Sequence, residues 1–290
     1  MEFAYVARRP RRALGRFVES VWYARGRIDY PWERIAPTGS TVAVIVLGAP
    51  IVETPSDGAG EPLLATTGFL IGPHDRPVIN APVAETYCVG IVTTPVGCRA
   101  VFGVPPAPLR GRVVDLETTW PAAAPLRRAL LAMSEPARML DQVEASLRDG
   151  LRPAGATVGR CEAAIRALEA DPTRGVAAHA AALGLSHGHL DREFTAIVGL
   201  SPRALSRILR MRRLLASLDV YRPVDWIGLA AELDWFDQSH LIRDFKRHTG
   251  VTPSDYLAAQ RSAFTPAQAA PGFVPHVKSV QAATRPPTLP

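Results

Sequence analysis

Leu190-Asp191-Arg192-Glu193-Phe194, followed by Gly199-Leu200-Ser201-Pro202, is a pattern that this chain contains twice. The second copy begins 51 residues later and reads Leu241-Ile242-Arg243-Asp244-Phe245, then Gly250-Val251-Thr252-Pro253. His189 and His240 precede the two copies at the same offset. A repeat with this much detail indicates one supersecondary unit that occurs twice.

The first copy has the signals of a helix-turn-helix. An Ala-rich helix is expected over residues 176–183, and Gly184 would end it by adopting a positive φ angle. Ser186 is then well placed as the N-cap of a second helix over residues 187–197. Helical spacing predicts that the inward face of this helix carries Leu190, Phe194 and Ile197.

The second copy repeats this logic with different side chains. A helix over residues 226–233 precedes Asp237, the expected N-cap of a helix over residues 238–248. Leu241 and Phe245 are expected to face inward, with Leu229 and Trp235 as neighbours.

The outward side chains of the second helix in each unit suit DNA. Small polar residues near a helix N-terminus allow close approach to base edges, while Gln pairs with adenine and Arg with guanine or phosphate. Asp191 and Asp244 would repel phosphate, so we expect them to point aside or pair with Arg. The candidate DNA-binding residues are Ser186, His187, Gly188, His189, Arg192, Gln238, Ser239, His240, Arg243, Lys246 and Arg247.

A helix over residues 203–218 is expected to join the two units. Its core-like residues are Leu205, Ile208, Leu209, Leu215 and Leu218, and Arg207, Arg210, Arg212 and Arg213 lie outside that set. A rigid connector would hold the two reading helices at a fixed separation, and successive major-groove faces on B-DNA are about 34 Å apart. Helix-turn-helix folds also serve as protein-binding modules. The alternative is therefore a protein- or ligand-binding module with weak non-specific DNA contact, as in an anti-regulator.

Composition agrees with an anionic partner without requiring one. The 290 residues carry a net charge of +6, with a pI of about 9.6. The longest apolar run, residues 42–47, is the length of a strand and too short to span a membrane. We expect no signal peptide and a cytoplasmic protein with reduced thiols, since Cys88, Cys98 and Cys161 are scattered and form no CxxC motif.

The rest of the chain predicts an α+β protein. Strands are expected over residues 41–47, 69–71 and 87–92, with an early helix over residues 13–22. Two amphipathic helices, with apolar residues at 126–133 and 139–147, could cover the sheet or pair between protomers. The predicted division is a β-rich domain of sandwich or barrel type with flanking helices (1–150), a linker (151–157), an all-α double helix-turn-helix domain (158–261) and a disordered Pro/Ala-rich tail (262–290).

Residues 158–261 resemble the AraC/XylS family of bacterial transcription regulators. The most specific part is the run from Phe236 to Pro253, and the Gly-Leu-Ser-Pro run at residues 199–202 matches the first unit. The resemblance implies seven helices with two helix-turn-helix units joined by a long helix. Asp234 stands where the family usually has Gly, and Asp tolerates left-handed conformations better than most residues. Residues 18–22, 95–105 and 113–116 resemble, more weakly, the companion domain of a subgroup of these regulators. This resemblance implies that residues 1–150 form a sensory or dimerisation domain.

The sequence contains no catalytic constellation, cofactor motif or metal-site pattern. His74 is the only histidine before residue 158, and no lysine precedes Lys246, so neither a histidine-rich metal site nor a Walker loop fits there. Cys88 and Cys98 have no adjacent histidine, and a core role is favoured for both. We therefore predict a regulator that binds double-stranded DNA and is not an enzyme.

An effector pocket, if the protein has one, is expected inside the N-terminal domain. Ordinary core packing is the favoured interpretation for each of its aromatic candidates, Trp22, Tyr23, Trp32, Phe69 and Tyr87. A small-molecule effector, RNA polymerase and a second copy of the chain are left open as partners.

Overall fold

The computed structural model describes residues 3–55, 60–268 and 270–276. Within them the chain forms a β-rich N-terminal part and a helical C-terminal part. The strands are β1 Ala4–Arg8, β2 Val18–Gly26, β3 Glu33–Ile35, β4 Val42–Val46, β5 Ile51–Pro55, β6 Leu63–Ala65, β7 Gly68–Ile71, β8 Val78–Pro82, β9 Thr86–Thr93, β10 Val113–Asp115 and β11 Phe273–Pro275.

The strands form two antiparallel sheets that pack face to face. The first has the order β1-β2-β9-β4-β7-β10 and the second β11-β3-β8-β5-β6. Side chains alternate between the two faces of a strand. Val44 and Phe69 of the first sheet therefore pack against Ile51 and Val78 of the second, while Ile45 on the opposite face enters a different core. The expected β-rich sandwich is thus observed.

Most of the helices follow the strands in chain order, although α1 precedes β10 and β11 follows α11. They are α1 Gly97–Phe102, α2 Leu116–Thr119, α3 Ala123–Leu131, α4 Pro136–Asp149, α5 Ala156–Ala170, α6 Val176–Ala182, α7 His187–Val198, α8 Pro202–Ser217, α9 Trp226–Glu232, α10 Gln238–Thr249 and α11 Pro253–Ala263. None of the helices within the described ranges has the length and hydrophobicity that a bilayer crossing requires.

The predicted strands at residues 41–47, 69–71 and 87–92 are confirmed as β4, β7 and β9. The two predicted amphipathic helices are confirmed as α3 and α4, and both cover the first sheet. Arg127 of α3 donates from Nε to the carbonyl oxygen of Val46 at 2.7 Å. Arg8 of β1 bonds the carboxylates of Asp141 and Glu144 on α4. Pairing of these helices between protomers stays a prediction.

The predicted helix over residues 13–22 is wrong. Residues Arg12–Arg16 form a 3₁₀ helix, and β2 begins at Val18 between β1 and β9. The pairing of β2 with β9 shifts register between Val18 and Ser20, as a β-bulge does. Val18 and Val21 are therefore both fully buried although they lie three residues apart. The bulge produces the spacing that suggested a helix.

The prediction of a disordered tail over residues 262–290 is wrong for the described residues 262–268 and 270–276. Residues Pro266–Gln268 form a 3₁₀ helix, and β11 pairs with β3 at the edge of the second sheet. Gln260 donates from Nε2 to the carbonyl oxygens of Ala270 and Phe273. The composition of a segment indicates only how much apolar surface that segment can bury by itself. The C-terminal segment is ordered because it adds a strand, β11, to an existing sheet. Residues 277–290 lie outside the described residues.

The helical part packs directly against the N-terminal part. One hydrophobic core runs from the first sheet through α3, α4 and α5 into α7 and the start of α8. Gly39, with φ of +81°, lies so close to α8 that a Cβ atom there would meet Cδ1 of Leu205 at 2.4 Å. The segment predicted as a linker, residues 151–157, also touches the N-terminal part, since the Arg152 amide donates to the carbonyl oxygen of Ala100.

Candidate DNA-binding interface

The first helix-turn-helix consists of α6 and α7. Gly184 has the predicted positive φ, +69°, in the turn between them. The Ser186 hydroxyl accepts a hydrogen bond from the His189 amide at 3.3 Å, so Ser186 is confirmed as the N-cap of α7. Gly199, with φ of +79°, ends the helix.

Burial divides α7 into two faces. Leu190 and Phe194 are buried as predicted, but Val198 completes the inward stripe and Ile197 is only half-buried. The candidate residues of this unit, Ser186, His187, Gly188, His189 and Arg192, are all exposed. The structure therefore brings them together at the N-terminal end of α7.

Glu193 holds α7 against α5. Its carboxylate accepts hydrogen bonds from the guanidinium of Arg160, and His189 Nε2 lies 3.2 Å from Oε1 of the same group. The hydrogen bond from Arg160 is the main cause that holds the pKa of Glu193 below its ordinary value. His189 is thus anchored beside a carboxylate.

The second unit, α9 and α10, has the same construction. Asp237 accepts from the His240 amide at 2.6 Å and is confirmed as the N-cap of α10. Asp234 adopts φ of +60° in the turn, as its position in place of Gly suggested. Gly250, with φ of +78°, ends the helix as Gly199 ends α7.

Asp244 lies at the centre of a buried polar network. Its carboxylate accepts from the guanidinium of Arg207, from Arg210 at 3.3 Å and from the indole Nε1 of Trp235 at 3.0 Å. Burial alone would raise its pKa, but the hydrogen bonds from Arg207 and Trp235 outweigh it and the pKa is lowered. The expected pairing of Asp244 with Arg is confirmed, and Asp244 therefore faces α8.

The exposed face of α10 carries Gln238, Ser239, Arg243 and Lys246. His240 is half-buried on the flank, with Nε2 3.7 Å from the Asp244 carboxylate. An open cleft of about 600 Å³ lies beside this face. Its lining residues are Arg76, Arg207, His240, Arg243, Asp244, Lys246 and Arg247. This cleft is strongly basic.

Arg247 differs from the other candidates because the N-terminal part holds it. Its guanidinium binds the carboxylate of Asp75, which lies in the loop between β7 and β8. Burial opposes ionisation of Asp75, but the hydrogen bond and charge of Arg247 prevail and its pKa is lowered. No sequence pattern indicates this pair, because its members are 172 residues apart.

The connector α8 fixes the two units relative to each other. Leu205, Ile208 and Leu215 are buried as predicted, while Leu209 and Leu218 are half-buried. Met211 and Leu214 complete the buried stripe instead. This stripe packs on both units, because Leu205 belongs to the core of the first and Leu214 to that of the second.

Phe236 lies next to the candidate DNA-binding residues of α10 and is not among the residues that the sequence predicted for this surface. Its side chain is 93% exposed, directly before the N-cap of α10, and Ile227 on α9 is 71% exposed. An aromatic residue before an N-cap commonly packs back onto the helix. Here it projects into solvent beside the basic face.

The aromatic effector candidates do not form one group. Tyr23 and Tyr87 have ring centroids 6.0 Å apart. Trp22 covers Gly90, where a Cβ atom would meet the indole at 2.0 Å. Trp32 lies between the Arg34 guanidinium and the His276 ring, and Phe69 is buried between the sheets. Core packing accounts for Phe69 and Tyr23 in the described structure.

The described residues show no group of three or more side chains that could ligate a metal ion. Burial raises the pKa of Cys88 to about 12 and that of Cys98 to about 11, so both remain thiols near neutral pH.

Two family models match the chain. A helix-turn-helix domain model matches residues 179–259, which include α7, α8, α9 and α10. A domain of unknown function (DUF6597) matches residues 7–115, the β-rich part. No curated protein matches the chain.

Solved structures with a similar chain trace include ToxT from Vibrio cholerae, at 10% identity and a TM-score of 0.45, covering 88% of this chain and 98% of ToxT. ToxT bound to (E)-4-(8-methylnaphthalen-1-yl)but-3-enoic acid matches at 9% identity and a TM-score of 0.45, with the same coverage. The AraC-like transcriptional activator CuxR matches at 13% identity and a TM-score of 0.23, covering 74% of this chain and 87% of CuxR.

The helix-turn-helix match agrees with the two capped units that the structure shows at α7 and α10. With its two units on a single connecting helix behind a β-rich domain, the chain has the architecture that its resemblance to the AraC/XylS family of transcription regulators implies.

Proposed function

We propose that this DNA-binding regulator reads specific sequence with α7 and α10, which enter adjacent segments of the major groove. The observation that carries the proposal is the pair of capped helix N-termini, both exposed and both attached to α8. A helix N-terminal end with short polar side chains can approach base edges closely. The exposed Arg192 and Arg243 occupy equivalent positions and are the strongest candidates for guanine.

The remaining candidates divide by position. Gln238, Ser239, His187 and Gly188 lie at the helix N-termini and suit base edges. Lys246 and Arg247 lie nearer the C-terminal end of α10 and suit phosphates. The two units offer different side chains at equivalent positions, so one chain should prefer a non-palindromic site.

A mobility-shift experiment across a range of salt concentrations tests this function. The probe is the DNA upstream of the chain's own gene, and the control is a scrambled duplex of equal length and composition. We expect tighter binding to the upstream DNA, and an affinity that falls steeply with salt because phosphate contacts release counterions. Equal affinity for both duplexes at every salt concentration would overturn the proposal.

A second candidate function, a protein-binding module, is supported by the exposure of Phe236 and Ile227. Phe236 could equally contact a thymine methyl group in the major groove. The Phe236→Ala variant separates the two. Loss of preference at one base pair favours DNA reading, whereas unchanged DNA selectivity favours a protein partner at this surface.

Regulation by a small molecule in the N-terminal domain, and contacts with RNA polymerase or a second copy of the chain, complete the proposal. Tyr23 of β2 and Tyr87 of β9 lie on the same face of the first sheet and are the effector candidates that lie closest together, whereas Trp22 faces the other side. A thermal-shift screen of small molecules, repeated on Tyr87→Ala, tests this part. The length of the protected DNA in a footprint reports whether one or two copies bind.

A further inference from the structure

A small cleft lies between the N-terminal part and the base of the second recognition helix. It has a volume of about 200 Å³ and is bordered by the β7–β8 loop, the N-terminus of α8 and the C-terminal end of α10. A water molecule occupies about 30 Å³ in the liquid, and drug-sized ligands need about 300 Å³ or more. The cleft therefore suits a compact ligand.

The side chains around the cleft are strongly cationic. Arg110, Arg203, Arg207 and Arg247 line it, against the single carboxylate of Asp75. The positive end of the α8 dipole adds to this charge, because Ser201, the N-cap of that helix, is also part of the lining. Several guanidinium groups around a small space match the oxygens of a phosphoryl group, which accept paired hydrogen bonds.

His248 gives an independent indication of a ligand. Its side chain is only 1% exposed and lines the cleft. Within the described ranges, neither of its ring nitrogens has a hydrogen-bond partner, and the buried Nε of Arg247 is in the same state. Buried polar groups are nearly always hydrogen-bonded in folded proteins. A bound oxyanion could accept from both residues.

The cleft faces away from the proposed DNA surface. His248 follows Ser239 by nine positions, which is about two and a half helical turns, so the two lie on opposite sides of α10. Arg243 and Lys246 lie on the side of Ser239. Arg247 stands between the two sides and lines both clefts.

We infer that this cleft binds a compact dianion of the phosphate-monoester class, held by Arg110, Arg203 and Arg247. The ligand competes with Asp75 for the Arg247 guanidinium. Because Arg247 also borders the DNA-facing cleft, occupancy changes how the second recognition helix is held. Only this effect on the second recognition helix rests on the proposed function.

Calorimetric titration of the full chain with inorganic phosphate, in chloride buffer without DNA, tests the site. We expect saturable binding that weakens about tenfold in Arg110→Gln and in Arg203→Gln, each of which removes one charged hydrogen-bond donor. Asp75→Asn removes the competing carboxylate and should tighten phosphate binding several-fold. The control Arg222→Gln, an exposed pair with Asp219 elsewhere on the surface, should bind like the parent.

Two results would overturn the inference. The first is heat that does not saturate, or that falls equally in Arg222→Gln. The second is a parent chain that does not bind inorganic phosphate, together with an Arg110→Gln variant that binds double-stranded DNA more weakly than the parent. That result would mean that the cleft contacts the DNA backbone. Circular dichroism melts show that each variant is folded. Since phosphate binding is measured without DNA, its outcome does not depend on whether the chain reads DNA.

Discussion

The two helices proposed to read DNA, α7 and α10, share a local design and differ in how the rest of the molecule holds them. Both begin at a side-chain cap, bury a Leu and a Phe, and end at a glycine with positive φ. The core of α7 continues into the N-terminal part, whereas α10 belongs to a separate core. At equivalent positions α7 has Glu193, Ala196 and Ile197, where α10 has Asp244, Arg247 and His248.

This difference implies different sensitivities. Apolar packing of the kind that fixes α7 responds little to salt or pH. The buried charges beneath α10 and its ion pair with Asp75 respond to both. The local sequence therefore makes both segments helical. The tertiary contacts decide which of the two helices is sensitive to salt and pH.

The largest effect is expected from Asp244→Ala. Removal of this carboxylate leaves the buried Arg210, and Arg207 beside it, without their counter-charge, and breaking a buried pair in this way costs about 3–5 kcal/mol. Denaturant unfolding measures the loss, and hydrogen exchange should place it in α8 and α10. Glu193→Ala is the matched variant in the first unit. It should cost far less, because solvent screens the Arg160 pair. Equal losses would contradict the difference between the units.

Acid should weaken the second unit selectively. Burial is the main cause that lowers the pKa of His248 to about 4. The charge of Asp244, and then that of Asp75, opposes this shift, whereas the charges of Arg207 and Arg247 add to it. In the unfolded chain, His248 is therefore protonated as the pH falls below about 6.5, whereas in the folded chain it stays neutral until the pH approaches 4. The stability contributed by neutral His248 is therefore present above pH 6.5 and lost as the pH falls toward 4, by on the order of 3 kcal/mol.

Unfolding of the parent and of His248→Gln at a series of pH values checks this. The variant should lose less stability than the parent between pH 6.5 and 4, and exchange in α7 should change less than in α10. Parallel curves for the two proteins would show that His248 is not the group responsible.

Replacing the closing glycines tests the contacts with the N-terminal part. Both have positive φ, so alanine at either costs about 1–2 kcal/mol from the backbone alone. At Gly199 a Cβ atom would also meet the backbone carbon of Pro106 at 3.1 Å, whereas at Gly250 its nearest neighbour is a side-chain atom, Cδ of Arg34 at 2.6 Å, which can move without displacing the backbone. We expect Gly199→Ala to lower the melting temperature more than Gly250→Ala. The reverse order would place the firmer contact at the second unit.

The smallest effect is expected from Asp75→Asn on DNA binding. It frees Arg247 for phosphate, and since a partly exposed ion pair is worth at most about 1 kcal/mol, affinity should rise by up to about fivefold in phosphate-free buffer. Glu19→Gln is the control, because the Glu19–Arg212 pair also joins the two parts but does not involve α10. An equal gain in the control would attribute the effect to net charge.

The repeat made the local design predictable from sequence. Caps, turn residues and helical spacing are short-range signals, and they located both units, the connector and the role of Asp234. Three features could not be predicted from the sequence because they depend on residues that are distant along the chain. The bulge after Val18 is defined by β9, β11 is ordered by β3, and Arg247 is held by Asp75. No local pattern encodes such contacts.

The most direct test of two unequal readers is in vitro selection of binding sites with the parent, Arg192→Ala and Arg243→Ala. We predict a non-palindromic site of two different blocks about 10–10.5 base pairs apart, centre to centre. Each variant should lose discrimination, by about 1–3 kcal/mol, in one block and keep it in the other. A palindromic site, or loss at the same positions in both variants, would contradict the account.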